Sequence, residues 1–123
     1  MLSNARRVHM IGIKGTGMSA LAVNLKSMGV KVAGSDYTES FFTDSLLKKH
    51  GIKVSSPFSP LNISGDTDLV IVSTAYNNKN EEIQEARRRK LKILTYPEVL
   101  GLLTQQLPSV AVLTSINTSV PSS

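Results

Sequence analysis

Cysteine and tryptophan are missing from this chain of 123 residues, and its aromatics are three Phe and three Tyr. Without cysteine, no disulfide and no thiolate metal site can form. That absence suits the cytoplasm, which is the expected compartment. Runs of about 18 apolar residues, long enough to span a bilayer, are also missing, so no membrane partner is expected. The opening Met1-Leu2-Ser3-Asn4-Ala5-Arg6-Arg7 has two arginines, but the apolar stretch behind it is broken at Lys14. No secretory leader is expected from that pattern. His9 and His50 fall beside no carboxylates at ligand spacing, so no metal is expected.

Acidic residues are the scarcer sign. Lys and Arg total 14 against nine Asp and Glu, a formal charge of +5. A nucleic-acid binder would pair such charge with aromatic stacking residues. No such set accompanies the charge here, so a basic surface or an anionic small-molecule ligand is expected instead.

What remains is 41% apolar and alternates strand and helix. Val8–Ile13 reads as a buried strand. Met18, Leu21, Ala22, Leu25 and Met28 recur at helical spacing and are expected in the core, with Gly29 ending the helix. Val30–Ser35 is a second strand. Thr43 is expected to cap a helix that stops at Gly51, and Ile52–Ser55 is a third strand. The segment 56–67, rich in Pro and small polar residues, is a loop. Asp68–Thr74 (DLVIVST) reads as a strand covered on both faces. Asn80 offers a cap, followed by Glu81, Glu82 and Glu85 on one helix face, expected to be solvated. Arg87–Lys90 complement the far end of that helix dipole. Lys92–Thr95 is a fifth strand, and Pro97 starts a helix to about Gln106. Val110–Leu113 is strand-like, and Thr114–Ser123 is expected to fray. The fold class that follows is α/β: a three-layer, Rossmann-like, doubly wound parallel sheet of about five strands.

Gly15, Gly17 and Ala20 between the first strand and first helix fit G-x-G-x-x-A. In that pattern Gly15 permits the turn and Gly17 admits a phosphate. Ala20 lets helix and strand pack closely. The helix N-terminus then favours an anion, with the Lys14 charge beside it. Asp36, ending the second strand, is placed to accept hydrogen bonds from ribose hydroxyls.

The stretch His9-Met10-Ile11-Gly12-Ile13-Lys14-Gly15-Thr16-Gly17-Met18-Ser19 resembles the opening of the Mur ligases that add L-alanine to UDP-N-acetylmuramate. Gly34-Ser35-Asp36, Thr43 with Leu46–Gly51, Val70–Ala75, and Asn80–Ile83 with Ala86 are similar to further family segments, with Glu81 where the family has proline. The resemblance runs from His9 to Val112. It implies that Gly15, Thr16, Gly17, Met18 and Ser19 cradle the UDP diphosphate. Ser35, Asp36, Ser73, Thr74 and Ala75 would face the nucleoside, with Asn77 and Asn80 as weaker candidates. Tyr96 falls where many relatives carry Arg. A muropeptide-recycling relative sharing this domain stays open, as do an NAD(P)-binding oxidoreductase domain and a nucleotide-sensing module without chemistry.

A full ligase of that family also has an ATP-binding central domain and a C-terminal domain. Ser109–Val112 resembles the strand that precedes its ATP loop, but no glycine follows Gly101 and no lysine follows Lys92. The expected organisation is therefore residues 1–108 as the UDP-sugar-binding domain and 109–123 as the start of a missing ATP-binding domain. ATP and Mg2+ are expected only in the full-length ligase. This chain alone is expected to hold no catalytic residues and to be inactive. Gly17→Val should block UDP binding with the fold largely intact, and Asp36→Ala should weaken it by about 1.5–3 kcal/mol. Calorimetry on the two variants measures both effects.

Overall fold

The computed structural model describes residues 5–106. The expected strand at Val110–Leu113, the tail at Thr114–Ser123 and the 109–123 segment lie outside them. Five strands and four α-helices alternate: β1 (Arg7–Ile11), α1 (Thr16–Ser27), β2 (Lys31–Ser35), α2 (Asp44–Lys49), β3 (Lys53–Ser55), β4 (Leu69–Val72), α3 (Glu81–Arg88), β5 (Lys92–Thr95) and α4 (Tyr96–Gln106). A short 3-10 turn at Pro60–Asn62 interrupts the loop before β4. The order is β3-β2-β1-β4-β5, every pair parallel. This is the expected doubly wound α/β sheet, with strand order reversing between β1 and β4.

Side-chain alternation divides the sheet into two faces. Val8, Met10, Leu69 and Ile71 pack with Met18, Leu21, Ala22 and Leu25 of α1, Leu47 of α2 and Val99 of α4. Ile11, Val70 and Val72 pack on the other face with Ile83 and Ala86 of α3 and with Ile63. All four β4 residues are buried, as its unbroken apolar run requires. Truncating a residue such as Ile71 to Ala would cost about 2–5 kcal/mol.

Three helix expectations need correction. Met28 is 57% exposed, because it caps α1 beyond the last turn that touches the sheet. Ala20 is exposed as well, and the small residue at the helix–sheet contact is Ala22. Thr43 precedes α2 but makes no side-chain cap, since its hydroxyl donates to the Lys14 carbonyl at 2.6 Å. Asn80 does cap α3, accepting from the Glu82 and Ile83 amides.

Glu82 is the largest departure from the expected solvated face: it is fully buried. Its Oε1 lies 2.7 Å from His9 Nε2, and its Oε2 accepts from the Ser59 amide and from Asn62 Nδ2. Burial pushes its carboxyl pKa up, but the hydrogen bonds from His9, Ser59 and Asn62 outweigh burial and hold it below the ordinary range. An ionised carboxylate only accepts, so the His9 Nε2–H is the donor of this bond. Ser35 Oγ sits 3.1 Å from the same nitrogen. The network ties β1 and β2 to α3 and to the 57–62 loop. Because the folded pKa is depressed, this stabilisation is complete above the ordinary glutamate value of 4.5 and is lost as pH falls below it. Glu82→Gln should lose roughly 1–3 kcal/mol at neutral pH. Urea unfolding should show the gap between wild type and variant closing as the solution is acidified; a gap constant with pH would refute an ionised Glu82.

Candidate functional site

Parallel strands deliver their carboxyl ends to one edge, and the β1/β4 reversal leaves a crevice there. Four segments meet at that edge: the loop 12–17 after β1, Asp36 and Tyr37 after β2, 73–77 after β4, and Tyr96 after β5.

The loop turns at Gly12. Its φ of 85° is the left-handed one, and a Cβ there would sit 2.6 Å from Tyr76 Cε2 and 2.8 Å from Ser73 Cβ. Gly15, by contrast, has φ −60° and ψ 151°, which any residue adopts, and space for a Cβ. The tight turn assigned to Gly15 therefore belongs to Gly12. The one signal in the sequence was a glycine interrupting the apolar run Val8–Ile13.

Gly15 sits at the N-cap of α1 with no side-chain cap, and the first turn carries no acidic residue. The Gly17 and Met18 amides, which a capping side chain would normally satisfy, are left without one. Gly15 and Thr16 are exposed and Gly17 is half-buried. Met18 and Ser19 face inward, and the Ser19 hydroxyl donates to the Thr16 carbonyl at 3.0 Å. Of the five residues expected at a diphosphate, Gly15, Thr16 and Gly17 form the open rim, and Met18 and Ser19 anchor the turn from below.

Lys14 does not aim its charge at this rim. Only 7% exposed, its ammonium donates to the Glu39 carbonyl at 2.7 Å and pairs with Asp44 at 3.3 Å. Asp36 is buried beneath the loop. Its Oδ2 accepts the Lys14 amide at 2.8 Å, and its Oδ1 accepts the Tyr37 amide at 2.7 Å and the Tyr76 hydroxyl at 3.3 Å. Burial foremost, then the Asp36 charge, push the Tyr76 phenol up to about 12, so it stays a donor. Ser35 is fully buried against His9. Ser73 is half-buried and accepts from the Ala75 amide, whereas Thr74 and Ala75 are exposed. Asn77 accepts from the Lys79 amide and Asn80 serves α3.

Sequence reasoning missed an aromatic cluster. Tyr37, Phe58 and Tyr76 stand edge to face or tilted, with centroids 5.1–5.9 Å apart, beside Asp36. The three come from separate loops, so no local spacing announced them. Tyr96 was noticed only as a departure from a family pattern. A Cβ on Gly17 would fall 2.5 Å from its hydroxyl and 2.7 Å from its Cζ. Gly17→Val cannot therefore leave the surroundings intact, because the Tyr96 ring, packed on the core, must move.

Among the described residues, no helix is long and apolar enough to cross a membrane, and no group of three or more His, Asp or Glu could hold a metal ion.

Comparison with known proteins supplies a context. A family model described as "Mur ligase family, catalytic domain" matches residues 7–107. A UDP-N-acetylmuramate–L-alanine ligase of Treponema pallidum (strain Nichols) is 51% identical over 96 residues, covering 77% of this chain and 20% of that protein. The enzyme of the same name from Desulfitobacterium hafniense is 42% identical over 106 residues, covering 85% and 23%. The crystal structure of a UDP-N-acetylmuramate-alanine ligase from Thermotoga maritima matches with TM-score 0.74 and 34% identity, over 83% of this chain and 23% of that one. A UDP-N-acetylmuramate:L-alanyl-gamma-D-glutamyl-meso-diaminopimelate ligase from Neisseria meningitides, 24% identical with TM-score 0.71 over 77% and 30%, shares the fold. The chain thus spans about a fifth of the length of the curated relatives it matches.

The glycines separate turn from rim. Gly12→Ala should cost roughly 1–3 kcal/mol for the forced left-handed backbone. Gly15→Ser should change stability by at most about 0.5 kcal/mol, because Ser is an accepted N-cap. Urea unfolding of both variants measures the contrast, and equal losses would refute the assignment.

Proposed function

The chain belongs to the Mur ligase family, and we propose that it binds the UDP part of UDP-N-acetylmuramate, as the first domain of an alanine-adding ligase in peptidoglycan biosynthesis. The observation that carries this reading is the open N-terminus of α1 at the β1/β4 crevice, glycine-capped and free of acids. Backbone amides aimed at one point, backed by the helix dipole, suit a diphosphate. The names of the relatives at 51% and 42% identity supply the sugar nucleotide and the alanine.

In this reading the diphosphate meets the rim at Gly15, Thr16 and Gly17. The nucleoside lies against Thr74 and Ala75, with Ser73 at their edge. Ser35 and Asp36 act from beneath, holding His9 and the loop amides. That burial also argues against a dinucleotide, whose ribose hydroxyls need a carboxylate facing them. Residues 1–108 act as the nucleotide-sugar domain, and 109–123 belong to the start of the ATP-binding domain of a longer, cytoplasmic ligase. The residues present do not fit ATP and Mg2+ themselves: the chain contains no Gly-Lys pair.

Titration calorimetry with UDP-N-acetylmuramate, UDP and NAD tests the reading. Heat with the two uridine ligands is the expected result. Binding of NAD with no response to either uridine ligand would overturn it. Gly15→Ser, whose hydroxyl would occupy the Gly17 or Met18 amide, should weaken UDP by about ten-fold.

A further inference from the structure

Tyr96 opens α4 directly after β5, and its ring is packed against the core between sheet and helix. The hydroxyl is different. It has no hydrogen-bond partner among the described residues, whereas the Tyr76 hydroxyl at the same edge is engaged with Asp36. Its position is fixed by Gly17: a Cβ there would lie 2.5 Å from the oxygen. Cα–Cβ bonds of a helix tilt toward its N-terminus. An oxygen 2.5 Å from where the Cβ of this first-turn residue would sit is therefore on the side of the helix that its open amides face.

We propose that the Tyr96 hydroxyl is a diphosphate-positioning group, donating to a phosphate oxygen held on the first turn of α1. The proposal rests on the UDP reading above and adds a side-chain donor to what is otherwise a backbone site. It also explains Gly17 in a new way. The missing side chain there makes room for Tyr96 as well as for phosphate, so the two residues form one device. A phenol suits the role. Its hydroxyl can donate, and its rigid ring needs little ordering to hold the oxygen in place. The nearest lysine in sequence, Lys14, is committed to Asp44 and the Glu39 carbonyl. A hydroxyl donor at the start of α4 thus takes up part of the task that a cation in this loop would otherwise perform.

Tyr96→Phe keeps the ring over Gly17 and removes only the donor. UDP and uridine binding to wild type and variant should be followed by ligand-observed NMR at millimolar ligand, with thermal unfolding as the control for folding. The expected result is an unchanged unfolding midpoint and a UDP dissociation constant raised by about ten-fold or more, the loss of one bond to a charged acceptor. Uridine, which has no phosphate, should bind both proteins alike. UDP binding unchanged in the variant would overturn the proposal, as would an equal loss for uridine and UDP. Failure of the wild type itself to bind UDP would instead remove the functional reading on which it rests.

Discussion

The carboxylate of Asp36 sits where β2 ends and holds the backbone of its neighbours. One oxygen takes the Lys14 amide, and the other takes the Tyr37 amide and the Tyr76 hydroxyl. Through Lys14 it fixes the path of the loop from β1 to α1. Through Tyr76 it presses a ring against Gly12, at the residue where that loop turns left-handed. The direction in which α1 presents its first amides depends on both contacts. An N-terminus binds an anion well only if its amides are already aimed, since ordering them later would subtract from affinity. Asp36 supplies that aim without touching the rim.

A second buried carboxylate does comparable work one layer away. Glu82 links β1, through His9, to the 57–62 loop and to the capped start of α3. Its three hydrogen bonds are what make burial tolerable, because an unpaired buried charge would shift its pKa and neutralise. The two networks meet along β1 and β2. Ser35 reaches His9 with its side chain, and its carbonyl accepts the amides of Gly12 and Ile13. The loop at the strand ends is therefore braced from the sheet below and from β2 beside it.

The sheet was legible in the sequence because its signals are local. Unbroken apolar runs, a glycine at φ 91° after α1 and another at φ 68° after α2, and the Asn80 cap each act within a few residues. The site was legible only in outline. Gly15 and Gly17 drew attention because they match a pattern, yet the turn is made by Gly12, whose need for glycine is set by Tyr76, 64 positions on (76 − 12). Glu82 looked solvated because five of the eight residues of its helix are charged, and nothing near it in sequence mentions His9. Asp36 was expected to face a ribose, and its carboxylate instead accepts from the Lys14 and Tyr37 amides and the Tyr76 hydroxyl. Lys14 had the right charge beside the right loop, but Asp44 and Glu39 turned it away. In each case a contact across elements decided the matter, and no spacing rule reports such contacts.

That last displacement bears on how the edge can recognise an anion. With Lys14 paired to Asp44, the positive potential at the rim comes from oriented peptide dipoles more than from a formal charge. Such dipoles act within about the first turn of a helix and are fixed in direction. A lysine draws any nearby anion and does so over a distance set by screening. Amides and a rigid phenol, in contrast, discriminate by where an oxygen sits. The formal charge of +5 is therefore a poor guide to what this edge would hold. Selection would rest on geometry: the left-handed turn at Gly12, the bare cap at Gly15 and the space at Gly17 shared with Tyr96. Because these features lie on consecutive turns of one loop held by one carboxylate, a change at Asp36 would disturb all of them together. The expected loss on removing it is then one of loop position and stability first, and of a direct ligand contact only second.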